Sequence, residues 1–251
     1  MKNTIAWFPK AFPDLDADCL AGLSVDLGYT GIELCVRPSY QVYSDTDLVH
    51  SLQHTVAKCA SKGIKVVGIA ADLNERVIQA CGTVGISYIR VLLGLEKKQP
   101  VPQAVQNSLK RLEQFIPIAE KEQVIIGIQE HINTVAWNSL LLYQIIQRYQ
   151  SPFVRGIWDA AQSALAGESV TFGLGFLLPY CCSVQCKNLR YDGTKPIIVE
   201  AQEGILSWTE FASELKKQTY HGNITVSHEY SDQLHVKEHL RHDAAYLKMI
   251  L

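Results

Sequence analysis

Five apolar, β-branched runs in this chain end in, or carry, a residue able to bind a cation or move a proton. They are Glu33 in GIELC, Glu130 in IQEH, Asp159 in GIWDAAQ, Gln185 in SVQCKN and Glu229 in VSHEY. A carboxylate held close to a carbonyl compound can take the proton from the neighbouring carbon, and a second group in reach can return it. Taken singly, each acid reads equally well as a solvated loop residue or a cap, and Asp159 is well placed to cap a helix opening at Ala160. Their recurrence at corresponding places on successive strands is what points to one shared cavity.

That reading depends on the elements around them. Apolar runs at Thr4 to Trp7, Gly31 to Cys35, Lys65 to Ala70, Tyr88 to Leu92, Val124 to Gln129, Val154 to Trp158, Cys182 to Lys187 and Asn223 to His228 read as eight strands. Runs that are apolar on both faces suit a parallel sheet covered by helices. Between them lie helical stretches. DLDADCLAGLSVDLG closes on glycine, and DTDLVHSLQHTVAKCASKG opens on aspartates and ends in Lys-Gly, in keeping with the helix dipole and C-cap preferences. Pro117, inside a long helical pattern, predicts a kink. Eight βα units close most simply into a single (β/α)8 TIM barrel spanning residues 1–251, an α/β fold whose sites lie at the carboxyl ends of the strands. A doubly wound sheet fits less well, because no GxGxxG turn follows the first strand.

Bulk composition narrows the partners. The 251 residues are 47% hydrophobic and 19% charged with a formal net charge of -2, so nothing recruits nucleic acid through a basic surface. No apolar run reaches the ~20 residues of a membrane span, and the first residues lack the apolar core of a signal peptide. Seven cysteines without zinc-site spacing read as reduced, mostly buried thiols. The expected location is cytoplasmic, the expected partner is a small molecule, and a homo-oligomer is compatible with all of this.

At this point the chain resembles a known family, the xylose isomerase-like TIM barrels, the sugar phosphate isomerase and epimerase group that also includes endonuclease IV. LGYTGIELC is similar to its second strand, SYIRVLLG to its fourth, and IGIQEH to the Glu-x-His of its fifth. VRGIWDAAQSALAGE resembles its sixth-strand Asp followed by a helix and Gly-Glu, VQCKN its seventh-strand His-Val-Lys-Asp, and GNITVSHEY its eighth-strand Glu. The resemblance implies a divalent metal held by Glu130, Asp159, Gln185 and Glu229. Two positions depart from the pattern. Gln185 stands where the family usually has His, although related hydroxypyruvate isomerases use glutamine there, and Gln162 replaces the His of Asp-x-x-His, which weakens a multi-zinc nuclease reading.

Three carboxylates and an amide oxygen would form a hard ligand set that favours Mn2+ or Mg2+, with Zn2+ or Co2+ as alternatives. A metal chelating a carbonyl and its neighbouring hydroxyl would stabilise an enediolate, with Glu130 and Glu229 as acid and base on either side. The substrate would be a small sugar, keto-sugar or hydroxy-keto acid. Lys187, Arg190 and Arg37 are candidates to meet an anionic group, and strand alternation puts Lys187 on the face of Gln185. His131 is a substrate contact from the loop, His228 packs behind its strand, and Trp7 and Phe8 are candidates to wall the pocket. Glu33 and Arg90 would pair and order the interior beneath the ligands. The leading function is a metal-dependent isomerase or epimerase. The alternatives are a dehydratase or lyase of a keto-polyol, an endonuclease IV-like nuclease, and a barrel that binds a sugar without catalysis.

Overall fold

The computed structural model describes residues 3–40, 42–96, 98–227 and 229–251. The chain runs β1 (Thr4–Phe8), α1 (Ala17–Asp26), β2 (Gly31–Cys35), α2 (Leu48–Ser61), β3 (Lys65–Ala70), α3 (Glu75–Val84), β4 (Tyr88–Val91), α4 (Val101–Lys121) and β5 (Ile125–Gln129). It continues with α5 (Ser139–Tyr149), β6 (Val154–Asp159), α6 (Ala160–Leu165), α7 (Val170–Leu177), β7 (Cys181–Cys186), β8 (Asn188–Asp192), β9 (Lys195–Val199), α8 (Trp208–Lys217), β10 (Asn223–Ser227) and α9 (Val236–Ile250). Eight strands close in the order β1-β10-β7-β6-β5-β4-β3-β2, all parallel, which is the (β/α)8 barrel expected.

Two packing zones follow from the strand alternation. Ile32, Leu34, Ile89, Ile126, Ile128, Trp158, Val184, Ile224 and Val226 belong to the large core between strands and helices. Ala6, Val67, Tyr88 and Ile157 instead pack inside the barrel and plug its lower half. Gly68 is required there, because a Cβ on it would sit 2.3 Å from the Tyr88 ring. Helices are capped by side chains that accept from the first turn: Asp16 from the Cys19 amide, Asn74 from Val77 and Asn138 from Leu141. Helix α4 runs through Pro117 without a break in its helical span.

One element was not expected. Directly after β7 the chain forms an antiparallel hairpin, β8–β9, turned at Gly193 with φ 59°. Buried Asn188 braces its base, donating to the Ala201 and Leu206 carbonyls at 2.6 and 3.2 Å and accepting from the Leu206 amide at 3.0 Å. Cys35, Cys59, Cys81, Cys181 and Cys186 are buried free thiols, and Cys19 and Cys182 are also free. Among the described residues no helix is long and apolar enough to cross a membrane.

Candidate active site

Above the apolar plug, alternate residues of the strands turn a polar layer into the barrel. Glu33 of β2 is its anchor at 0% exposure. It accepts from Arg90 Nε of β4 at 2.8 Å, from the Tyr88 hydroxyl at 2.9 Å and from the Gln185 amide of β7 at 3.2 Å. Arg90 lies 4.2 Å above the Phe8 ring of β1, and its Nη1 donates to Gln129 Oε1 of β5 at 2.7 Å. Gln129 passes the chain on, donating from Nε2 to Asp159 Oδ2 of β6 at 2.7 Å. The other Asp159 oxygen accepts the Gln162 amide at 3.2 Å and caps α6, so the capping role and the inward role coexist.

Lys187, just past β7, closes the cluster. Its Nζ lies 3.0 Å from Asp159 Oδ2 and 2.9 Å from Glu229 Oε2, with its side chain 1% exposed. Burial opposes its charge, but the two carboxylates outweigh burial and lift it above the usual lysine range. Glu229 follows β10, and its second oxygen takes Lys10 Nζ at 3.0 Å. The Lys187 ammonium holds the Glu229 carboxyl well below the usual carboxylate range, against its desolvation and with help from Lys10. At 36% side-chain exposure Glu229 is the carboxylate of the cluster that solutes reach, while Asp159 and Glu33 are closed off.

Beside this cluster, beyond the ends of β3, β4 and β5, a cavity of ≈ 710 Å³ opens, lined among others by Arg37, Arg90, Arg111, Gln129, Asp72 and Glu96. Among the described residues, buried Nε of Arg37 and Nη2 of Arg90 have no hydrogen-bond partner, nor has Gln185 Oε1. Unpaired buried donors are costly unless a ligand or water meets them. The arrangement suits a small polar molecule with an anionic end.

Several expected positions are corrected. Glu130 does not face the barrel. Gln129 holds the inward place on β5, and Glu130, one residue on, turns to the opposite face, as strand alternation requires. Its carboxyl accepts from Ser139 Oγ of α5 at 3.1 Å and has Glu168 and Asp159 as its acidic neighbours. Burial first, then those two charges, push it well above the usual carboxylate range. The expected four-ligand set therefore does not form, and the pairing of Glu130 with Glu229 across a substrate is lost. Trp7 also faces outward, its indole N–H donating to Ser24 Oγ at 2.8 Å, and Phe8 is the inward aromatic. Arg190 is exposed on β8, and among the described residues no ion pair joins it to the cluster. His131 is half-buried with Nδ1 2.7 Å from the Ile132 carbonyl, part of the loop's own bonding. Gln162 spends its amide oxygen on the Ile132 amide at 3.1 Å, bracing the same loop. His228 lies outside the described residues.

Two members were missed from sequence. Lys10 follows Phe8 by two residues and shares its parity, a signal that was available. Gln129 adjoins the acid that drew attention and has no charge to mark it.

A metal was tested against these donors. The inward positions supply two carboxylates, Asp159 and Glu229, and two amides, Gln129 and Gln185. The oxygens of both carboxylates already accept from N–H donors, and an ammonium lies between them. Among the described residues no group of three or more His, Cys, Asp or Glu side chains is placed to hold a metal. The donor set does not fit a divalent ion.

A family model described as xylose isomerase-like TIM barrel matches residues 22–250. No curated protein matches the chain by sequence. Among solved structures it is similar to a probable 3-DHS dehydratase involved in petrobactin synthesis from Bacillus anthracis, at TM-score 0.78 and 14% identity over 99% of each chain. It is similar to D-psicose 3-epimerase with D-tagatose from Clostridium cellulolyticum H10, at TM-score 0.80 and 10% identity over 99% of each chain. A third, the IOLI protein with a binding zinc atom, has TM-score 0.78 at 14% identity over 98% of this chain and 97% of that one. Identities this low establish a shared fold.

Proposed function

The chain belongs to the xylose isomerase-like TIM barrel family, and on that premise we propose that it is an isomerase or epimerase of a small hydroxy-carbonyl compound, a keto-sugar or hydroxy-keto acid. The observation that carries this reading is the Asp159–Lys187–Glu229 cluster, in which a reachable carboxylate shares a buried ammonium with a closed-off one. The epimerase and dehydratase among the similar folds act on molecules of this kind by their names, which supports the class.

The chemistry asked of the residues is modest. Glu229 takes the proton from the carbon beside the carbonyl and the C–H electrons pass into an enediolate. Glu229 then returns the proton to the adjacent carbon while the hydroxyl proton moves between the two oxygens, or a solvent water on the opposite face supplies the proton that inverts the first carbon. Lys187, with two of its three N–H donors on carboxylates, has the third for the developing oxyanion. Asp159, itself held by Gln129 and the Gln162 amide, fixes the ammonium in place. The free donors of Arg37 and Arg90 favour a substrate with a carboxylate at its far end, so hydroxy-keto acids lead the panel.

The test is solvent deuterium incorporation into a panel of ketoses and hydroxy-keto acids, followed by NMR. Exchange at the carbon beside the carbonyl, abolished by Glu229→Gln, is expected. Absence of exchange across the panel would overturn the reading.

A further inference from the structure

We propose that the buried ammonium of Lys187 is the resident cation of the barrel mouth and fills the place where a divalent ion would be held, so that this site works without a metal. The cation half of this inference stands on geometry alone. Its catalytic half rests on the enolising reading above.

Three observations converge. The inward strand-end positions that would furnish ligands hold Gln129 and Gln185 beside Asp159 and Glu229, and the amide nitrogens of both glutamines already donate to carboxylates. A set of two amides and two carboxylates has less negative charge than the three carboxylates read from the sequence, so its pull on a 2+ ion is weaker. The second observation is the position of Lys187. Its Nζ is 3.0 Å from Asp159 and 2.9 Å from Glu229, at ordinary charge-assisted hydrogen-bond distances, and it is 1% exposed. An ion bridging the same two carboxylates would have to displace it or sit against a like charge. The third is the balance of charge in the cluster. Glu33, Asp159 and Glu229 are matched by Arg90, Lys187 and Lys10. A set whose charges are already matched gains little from two further positive charges, whereas one short of a cation would attract them.

An ammonium is a reasonable replacement in kind. It is a compact point charge with three donors, able to stabilise an oxyanion electrostatically without the coordination geometry a metal imposes.

The experiment uses the full chain, dialysed against chelator, with Mn2+ as probe and electron paramagnetic resonance and thermal melting as readouts. For the native chain, no saturable Mn2+ binding is expected, and melting is the same with chelator and with about 1 mM MnCl2, since an ion that binds only the folded form raises Tm by mass action. In Lys187→Met two buried carboxylates lose their shared partner. The expected result is a Tm lower by on the order of 10 °C, together with newly gained binding of one Mn2+ per chain that recovers part of the loss. Lys187→Arg, which keeps the charge, guards against a Met variant that fails to fold, and is expected to melt near the native chain and to bind no Mn2+. One tightly bound Mn2+ on the native chain, or an Arg variant that binds Mn2+, would overturn the proposal, as would a folded Met variant that gains no ion. If no compound in the exchange panel is turned over, the enolising reading fails, while these binding measurements still decide the identity of the cation.

Discussion

Two groups of carboxyls in the molecule lie on opposite sides of the barrel wall and are treated oppositely. Inside the barrel, Glu33, Asp159 and Glu229 each meet a cation. Behind β5, Glu130 and Glu168 share a space in which the hydroxyls of Ser139 and Ser163 and the Ser139 amide donate to them. There burial and like charge push Glu130 well above the usual range, so its neutral form is favoured. The adjacent residues Gln129 and Glu130 lie on the two sides of this divide. Which face of a strand a carboxyl occupies decides whether it can do ionic chemistry, and residue type alone does not.

The contrast can be broken from either side. The largest effect is expected from Glu229→Gln, which keeps the shape of the inner cluster but removes the proton acceptor. Turnover of whichever panel compound exchanges should fall by ~100 to 10,000-fold, measured as initial rate at saturating substrate. Next comes Arg90→Met, which leaves Glu33 in the barrel without its cation. Urea denaturation should register a loss of about 3–5 kcal/mol, the usual cost of breaking a buried pair from one side.

Behind the strand the expectation reverses. Glu130→Gln keeps the shape of the side chain and removes it from like-charge repulsion with Glu168 and Asp159, so stability at pH 7 should stay within about 1 kcal/mol of native or rise. Its pH dependence carries the sharper test. Because the folded pKa is raised, the stability that Glu130 contributes is fully present below its unfolded value of about 4.3 and is lost as pH rises through the folded value. The Gln variant should therefore lose less stability than the native chain as pH rises above about 4.3. A variant with the same pH slope as native would remove Glu130 from the account.

The smallest effect concerns Asp243 of α9, which burial raises to about 6 while it accepts from the Tyr230 hydroxyl and the Ala201 amide. The sign is the same as for Glu130, so stability should decline from pH about 4 to about 6 in the native chain and less so in Asp243→Asn. Both outer carboxyls would then share a pH dependence opposite in sign to that of Glu229.

The barrel was legible in the sequence because each strand is a compact apolar run set off by capped helices, and eight such runs leave few ways to close. The positions of Gln185 and Lys187 were also readable, since β7 marks its inward face by polar residues two apart, Ser183 and Gln185, and Asp159 by its place at the end of β6. Strand β5 gives no such mark. Ile125, Ile126 and Ile128 make it apolar on both faces, so its alternation has no visible phase, and a one-residue slip exchanged Gln129 for Glu130. The hairpin had a signal in Asp192-Gly193, but it lies where a βα connection was expected. Partner choice was beyond reach altogether: that Lys187 would bridge two acids depends on distances between strands, which no local pattern encodes.

The seam of the barrel lies between β1 and β10, paired from Thr4 with Asn223 to Phe8 with Ser227, and Lys10 joins Glu229 just above it. A chain made from its amino terminus has β1 early and must hold its edge unpaired until more than two hundred further residues have emerged. Glu229 is thus the last of the cluster's strand-end carboxylates to be synthesised, and it acquires its Lys10 contact only on closure. If Glu229 is the base, a nascent or terminally frayed molecule lacks its closed site, and the proposed chemistry would begin only with the final step of folding.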